Sequence, residues 1–338
     1  MNKIHHSLCI PLLLLLLLNT VLLPDQSQAG PDAASGKKVL IVASYHPEYK
    51  WVEEIVTTLR NNLRGAELTV FYMDTKRHLE GAEQKAREAF ALYQEIKPDA
   101  VITIDDNAQA YFVVPYLKDK VDTPVIFCAV NDDAGKYGFP AANVTGVLEK
   151  KHYRESISFA QIIRPGIRRV GVLYRPSPSN AVNLGQIEKE KDTYSAQISA
   201  VTEVQDLAEL RRAVTDMEDQ VDALFILNLT GITDDEGRQM EGHDAIRAVA
   251  ENTWLVTIGA SDWEIEAGAL CGVIKSGEEQ GNLAADLLLE YWAGKNIAEL
   301  PITQNKNGQR FINLSTLKKL NIQLRPEMIM GTKIIPGS

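Results

Sequence analysis

The sequence predicts an α/β fold of two doubly wound, parallel-sheet lobes joined by a hinge that the chain crosses more than once. Three observations carry this. From Lys37 onward, short apolar runs alternate with longer amphipathic stretches. The short runs are continuously apolar and rich in β-branched residues, as strands covered on both faces require. The alternation then restarts after Lys151, so the chain of 338 residues holds two successive α/β units, as its length favours.

The first unit reads in order as follows. Val39 to Ala43 is a buried strand, followed by a loop to Tyr49 and a helix from Trp51 to Leu63. Leu68 to Tyr72 is the second strand, and Gly81 to Ile96, full of Ala, Glu, Lys and Gln, is a helix. Ala100 to Ile104 is the third strand, Ala108 to Lys118 a helix, and Pro124 to Ala129 the fourth strand. Gly146 to Lys151 then carries the chain across to the second unit.

That unit opens with a helix at Tyr153 to Ile163, then a strand at Arg169 to Tyr174 and a helix at Asn180 to Ser195. A strand at Ala196 to Val201, a helix at Asp206 to Asp219 and a strand at Ala223 to Leu227 follow. Gly242 to Asn252 is a helix and Trp254 to Ile258 a strand. After Gly268 come one more strand, a helix from Glu278 to Trp292 and a tail of short turns. The expected division is 37–147 with about 270–297 for the first lobe, and 148–269 with about 298–338 for the second.

Residues 1–29 read as a secretory signal: Lys3 supplies the positive start and Leu12 to Leu18 are seven consecutive leucines. Ser27-Gln28-Ala29 gives the small-x-small pattern before a cut ahead of Gly30. The alternative is an uncleaved membrane anchor, disfavoured by a run short for a span and by Pro24 after it. Cys9 lies before the leucines, not after them, so no lipid anchor is expected. The mature chain is expected to be soluble in the periplasm. The signal holds one lysine and one aspartate, so the net charge of −10 survives its removal. An acidic chain without a long basic run is not a nucleic-acid binder of the phosphate-neutralising kind. Cys128 and Cys271 sit in apolar runs and read as buried thiols, with a disulfide between them as the alternative.

Ligands of open parallel sheets bind at the carboxyl ends of the strands, so the loops there are the candidate site. The first offers Ser44, Tyr45 and His46, with Trp51 opening the helix behind. The third strand ends in Asp105-Asp106-Asn107, able to cap a helix or to face a cation. The fourth ends at Asn131. In the second unit, Tyr174 leads into a turn with Ser177, Ser179 and Asn180 at a helix start, where an anion is favoured. Asn228, Thr230 and Ser261-Asp262-Trp263 complete the set. Each has an ordinary structural alternative as a cap, a loop residue or packing. Dinucleotide, Walker, HExxH and GxSxG motifs are all missing from the sequence. No metal or cofactor is expected.

Four segments together resemble a known family: VLIVASYHPEYKWVEEI, RRVGVLYRPSPSN, GALCGVIKSGEEQGNLAADLLLEYWAGKNIAELPI and INLSTLKKLNIQLRPEMI. Within them Tyr174-Arg175-Pro176-Ser177, Gly281, Gly294-Lys295 and Leu300-Pro301 follow in the family's order. The chain resembles the substrate-binding proteins of ABC transporters in the type I periplasmic-binding-protein superfamily, specifically the tryptophan- and tyrosine-binding branch. The resemblance runs from Lys38 to about Ile335. It implies a two-lobed, monomeric, non-catalytic protein that delivers a small solute to the membrane subunits of an ABC permease. It also implies ligand-facing loops beginning at Ser44, Asp105, Asn131, Ser177, Asn228 and Ser261. Arg175 stands where many members have asparagine, and Asp105-Asp106-Asn107 replaces the usual small residues.

The expected ligand is an amino acid, with aromatic ones the first candidates. Tyr45, Trp51 or Trp263 would stack on it, Asp105 or Asp106 would meet its ammonium, and the Ser177-to-Asn180 turn would take its carboxylate. The rival expectations are a sensory ligand-binding protein reporting to a membrane receptor or kinase, and a secreted hydrolase using His46 with an acidic partner.

Overall fold

The computed structural model describes residues 33–336; the signal segment, 1–29, lies outside them. The first lobe is a six-stranded sheet in which every pairing is parallel. Its strands are β1 (Lys38–Ala43), β2 (Glu67–Tyr72), β3 (Ala100–Ile104), β4 (Val125–Val130), β5 (Val144–Leu148) and β11 (Thr303–Gln304), in the order β11-β5-β4-β3-β1-β2. β1 shows why the run is apolar throughout. Val39, Ile41 and Ala43 enter the core on one face, and Leu40 and Val42 enter the core on the other.

The second lobe repeats the plan with β6 (Arg169–Tyr174), β7 (Gln197–Glu203), β8 (Ala223–Ile226), β9 (Val256–Gly259) and β10 (Cys271–Ile274). Its order is β13-β12-β10-β9-β8-β6-β7, with β12 (Gln309–Asn313) and β13 (Thr332–Ile335) added at one edge. β12 runs antiparallel to β10; every other pairing is parallel. Strand order reverses beside β1 in one lobe and beside β6 in the other, which places a crevice at each point.

Helices cover both faces. α1 (Lys50–Asn62) lies beside α9 (Gly277–Trp292), burying Val52, Ile55 and Leu59 with Ala284 and Leu288. The approach is close enough that a methyl on Gly281 would meet the Ile55 carbonyl at 3.0 Å. The other helices of the first lobe are α2 (Ala82–Ile96) and α3, where Asp106–Ala108 continues as a wider, π-helical stretch over Gln109–Leu117 that contains Pro115. The second lobe carries α4 (Tyr153–Ile163), α5 (Pro178–Glu190), α6 (Leu207–Glu218), α7 (Gly242–Asn252), α8 (Asp262–Glu266), α10 (Leu314–Lys319) and α11 (Pro326–Ile329).

The expected lobe boundaries need adjusting at two places. β10 was expected with the first lobe but pairs with β9 and β12 in the second sheet. β11 was expected with the second lobe but pairs with β5 in the first. The chain therefore passes between lobes three times: after β5, after β10 and after β11. β5 itself, with Gly146 in its centre, was not expected as a strand. Glycine suits it because a methyl there would run into the Phe127 carbonyl and ring. Cys128 and Cys271 are both buried and free, one in β4 and one in β10, on different sheets.

Candidate functional site

Between the lobes lies a cleft of about 1160 Å³. The first lobe contributes Tyr45, Tyr49 and Trp51 after β1, Lys76 after β2, Asp105 after β3 and Asn131 after β4. The second lobe contributes Ser261, Asp262 and Trp263 after β9. The crossings contribute Glu149, Lys151, Lys275 and Ser276.

Asp105 is the residue most at odds with its surroundings. Its backbone sits at φ 68°, ψ 170°, a region glycine adopts freely and other residues enter only at a cost of about 1–3 kcal/mol. The conformation is held by its own N–H, which donates to the Cys128 carbonyl at 3.0 Å, and its carbonyl, which accepts from Gln109 Nε2 at 2.9 Å. Its side chain does not cap α3. Ser44 does that work: its hydroxyl accepts the Ala108 N–H at 2.8 Å and donates to the Ile104 carbonyl at 2.7 Å. Asp105 is 3% exposed, and Oδ2 has no hydrogen-bond partner among the described residues. Burial pushes its carboxyl up to about 8, with the Lys275 charge opposing the rise and Asp106 adding to it.

Aromatic rings and lysines line the cleft along with this carboxyl. Tyr45 and Tyr49 meet edge to face at 5.5 Å. Lys76 Nζ stands 3.7 Å from the centre of the Tyr49 ring and 5.2 Å from that of Tyr45. Lys275 Nζ lies 4.5 Å from the Trp51 ring centre and makes an ionic contact with Glu149 Oε1. Burial pulls the Lys275 ammonium down to about 8. Burial, and then the Asp105 and Asp106 charges, hold the Tyr45 hydroxyl protonated well above its usual range. Trp263 packs against His243 with ring centres 5.2 Å apart.

Of the residues expected from sequence, Tyr45, Trp51, Asp105, Asn131, Ser261, Asp262 and Trp263 line this cleft. The others do not, and each is engaged by neighbouring groups of its own or an adjoining loop. Asp106 accepts the Asn131 and Asp132 N–H groups and the Tyr137 hydroxyl. Asn107 donates to Thr75 Oγ1 at 2.9 Å. His46 pairs with Glu48 at 3.1 Å. The second-lobe turn is a closed structure: Ser177 caps α5 by accepting the Asn180 N–H, and Ser179 Oγ lies 3.1 Å from Ser177 Oγ. Asn180 is buried, donating to the Arg175 and Asn228 carbonyls. Asn228 Oδ1 accepts the Thr230 N–H, and Tyr174 donates to Glu203 at 3.4 Å. Asp105, not Asp106, faces the cleft, and the Ser177-to-Asn180 turn stands outside its lining.

Tyr49, Lys76, Glu149, Lys151 and Lys275 were not among the expected residues. The strand-end rule that found Asp105 reaches all five: Tyr49 lies in the loop after β1, from which Tyr45 was chosen, and Lys76 in the uncounted loop after β2. Glu149 and Lys151 follow β5, and Lys275 follows β10, but neither strand end had been counted among the candidate loops. Among the described residues, no group of three or more His, Cys, Asp or Glu side chains is placed to hold a metal ion. Among them, too, no helix is long and apolar enough to cross a membrane.

The chain belongs to the ABC transporter substrate binding protein family, whose sequence model matches residues 56–333. It is similar to a tyrosine-binding protein from Clostridioides difficile (strain R20291), 24% identical over 211 residues, which are 60% of this chain and 58% of that one. In structure it resembles the ligand-free, open form of a substrate-binding protein with adhesive properties from Clostridium difficile. There the TM-score is 0.70 at 16% identity, covering 89% of this chain and all of the other. An ABC domain from Streptococcus pneumonia in complex with L-Trp gives a TM-score of 0.54 at 17% identity, covering 89% and 99%. A periplasmic ribose ABC transporter structure from Conexibacter woesei gives 0.51 at 16%, covering 87% and 98%. These structures share the type I periplasmic-binding-protein fold with this chain.

Proposed function

We propose that this chain is the extracytoplasmic solute receptor of an ABC importer, exported by its first 29 residues, and that it carries an amino acid, aromatic ones foremost, to a membrane permease. The observation that carries the ligand class is Asp105. A strained, buried carboxyl with a free oxygen in a cleft also lined by aromatic side chains suits an ammonium group attached to an apolar body. The similar proteins described as tyrosine-binding and as bound to L-Trp support the same class. The ligand would lie between Tyr45, Tyr49 and Trp51 of one lobe and Trp263 of the other. Three chain crossings allow the lobes to close on it and present a single surface to the permease.

The test is a thermal-shift screen of the purified protein, unfolded and refolded to remove carried-over ligand, against amino acids, sugars and nucleosides. A ligand at a hundredfold excess over its Kd adds about 2.7 kcal/mol to stability. Aromatic amino acids should give the largest shifts. A sugar or nucleoside hit without an amino-acid hit would overturn the reading, and silence across all classes would turn attention to a sensory role with another partner.

A further inference from the structure

The site as described has a partner for an ammonium group and none yet for a carboxylate. We propose that Lys275, assisted by Lys76, is the carboxylate pole of the ligand site, so that the ligand is an α-amino acid with a free carboxylate and its amides and decarboxylated amines are excluded. The inference rests on the amino-acid reading above and names the half of the ligand that reading leaves open.

The geometry favours these two lysines over the other donors facing the cleft. α9 begins at the cleft, but its Gly277 N–H already donates to Glu54 Oε2 at 3.2 Å and its Glu279 N–H to Ser276 Oγ at 3.2 Å. Ser261 is bound into a reciprocal cap with Glu264. Lys50 is paired with Asp262. Lys76 and Lys275, in contrast, rest on the faces of Tyr49 and Trp51, the rings an aromatic ligand would use. Lys76 rests on the Tyr49 ring and can leave it for a carboxylate, while Lys275 keeps its ionic contact with Glu149 and has further N–H donors to offer the same group.

Charge points the same way. Lys76, Lys151 and Lys275 line the cleft with Asp105 and Glu149, so a ligand that carries only an ammonium brings more positive charge among these lysines, whereas a zwitterion brings its own carboxylate to meet them. Glu149, its side chain 1% exposed, is a fixed anchor, and Lys275, at 23%, is the member exposed to a ligand. Lys275 also lies on the crossing between β10 of one lobe and α9 of the other, so a carboxylate held there bears on the joint itself.

The experiment is calorimetry on the full mature protein with L-tryptophan, L-tyrosine and L-leucine, each beside its amide and its decarboxylated amine. The acids should bind at least about tenfold tighter than the amides and amines, the range for a charge-assisted hydrogen bond. Lys275→Met should bring the acid down to the affinity of the amide, and Lys275→Arg should keep the difference. Equal binding of acid and amide by the unaltered protein overturns the carboxylate pole while leaving the amino-acid reading intact, and this comparison needs no variant to fold. Binding of none of the three acids overturns the amino-acid reading and the pole together. An equal weakening of acid and amide in Lys275→Met would assign the lysine to the joint and not to the ligand.

Discussion

Lys50 Nζ, on α1 of the first lobe, lies 3.4 Å from Asp262 Oδ2, on α8 of the second, and both residues line the cleft. The lysine is 66% and the aspartate 40% exposed, so the pair is a surface contact of the kind worth up to about 1 kcal/mol. The contact spans the two lobes, so its effect should appear in ligand binding more than in folding. Lys50→Ala is expected to weaken binding by no more than about fivefold, the equivalent of that energy. The deficit should vanish in 0.5 M salt, where exposed charges are screened. Titrations at two salt concentrations check this; a deficit that ignores salt would mean that Lys50 touches the ligand directly.

Asp105→Asn keeps the shape of the side chain and removes its charge. Loss of one partner of a buried charge pair costs about 2–5 kcal/mol of binding. The empty protein should gain stability, with a definite pH dependence. The folded carboxyl is held at about 8, well above its unfolded value. The unfolded chain therefore releases this proton first as pH rises, and the aspartate's contribution to stability falls between about pH 4 and pH 8. The melting temperature of the variant should exceed that of the parent by more at pH 8 than at pH 5. A gap independent of pH would remove the buried-carboxyl account.

The same group couples binding to protons. An ammonium group placed against Asp105 favours the ionised carboxylate, so ligand binding at pH 7 should expel about one proton. Affinity should rise from pH 6 toward pH 8. Above that it should fall, because the Lys275 ammonium, pulled down to about 8 by burial, loses its charge. Calorimetry in two buffers of different ionisation enthalpy measures the proton directly. An affinity flat across pH 6 to 9 would rule out both residues as ligand partners.

Asn305 ties the first and third crossings together. Its Oδ1 accepts the Lys150 N–H at 2.7 Å, and its Nδ2 donates to the Lys150 carbonyl at 2.8 Å and lies 2.8 Å from His152 Nε2. The residue is buried, so Asn305→Ala leaves several polar groups without partners, at about 1–3 kcal/mol for each one stranded. The expected loss of stability in a urea titration is about 2–3 kcal/mol, and larger for Asn305→Asp, whose carboxylate cannot donate to the Lys150 carbonyl. An unshifted midpoint would show that the crossings hold their course without it.

Most of the first-lobe strands and its three long helices were legible because their signals are local. β1 reads as a double-faced buried strand because both of its faces are covered, and α1 reads as a helix because Val52, Ile55, Val56 and Leu59 recur on one side. The edge of the second sheet was not legible. β12 and β13 are short, and β12 runs against β10 in a register that only the folded chain supplies. In the site, the loop after β3 could be chosen from sequence, but the choice between neighbouring aspartates could not. Asp105 sits at φ 68°, ψ 170° before α3 while Asp106 opens the helix, and the side chain of Asp106 is held by the loop of Asn131 while that of Asp105 lines the cleft.

The sequence by itself determined the two repeated α/β units, the family resemblance and the strand ends where a ligand belongs, because each follows from apolar periodicity and local order along the chain. Only the tertiary structure decided that Ser44 would cap α3 and leave Asp105 uncommitted. It also drew the Ser177 turn into its own hydrogen bonds and set Lys275 from the second crossing over Trp51. Those outcomes depend on which side chains meet across three passes between the lobes, and residues distant in sequence come into contact only when both sheets are in place.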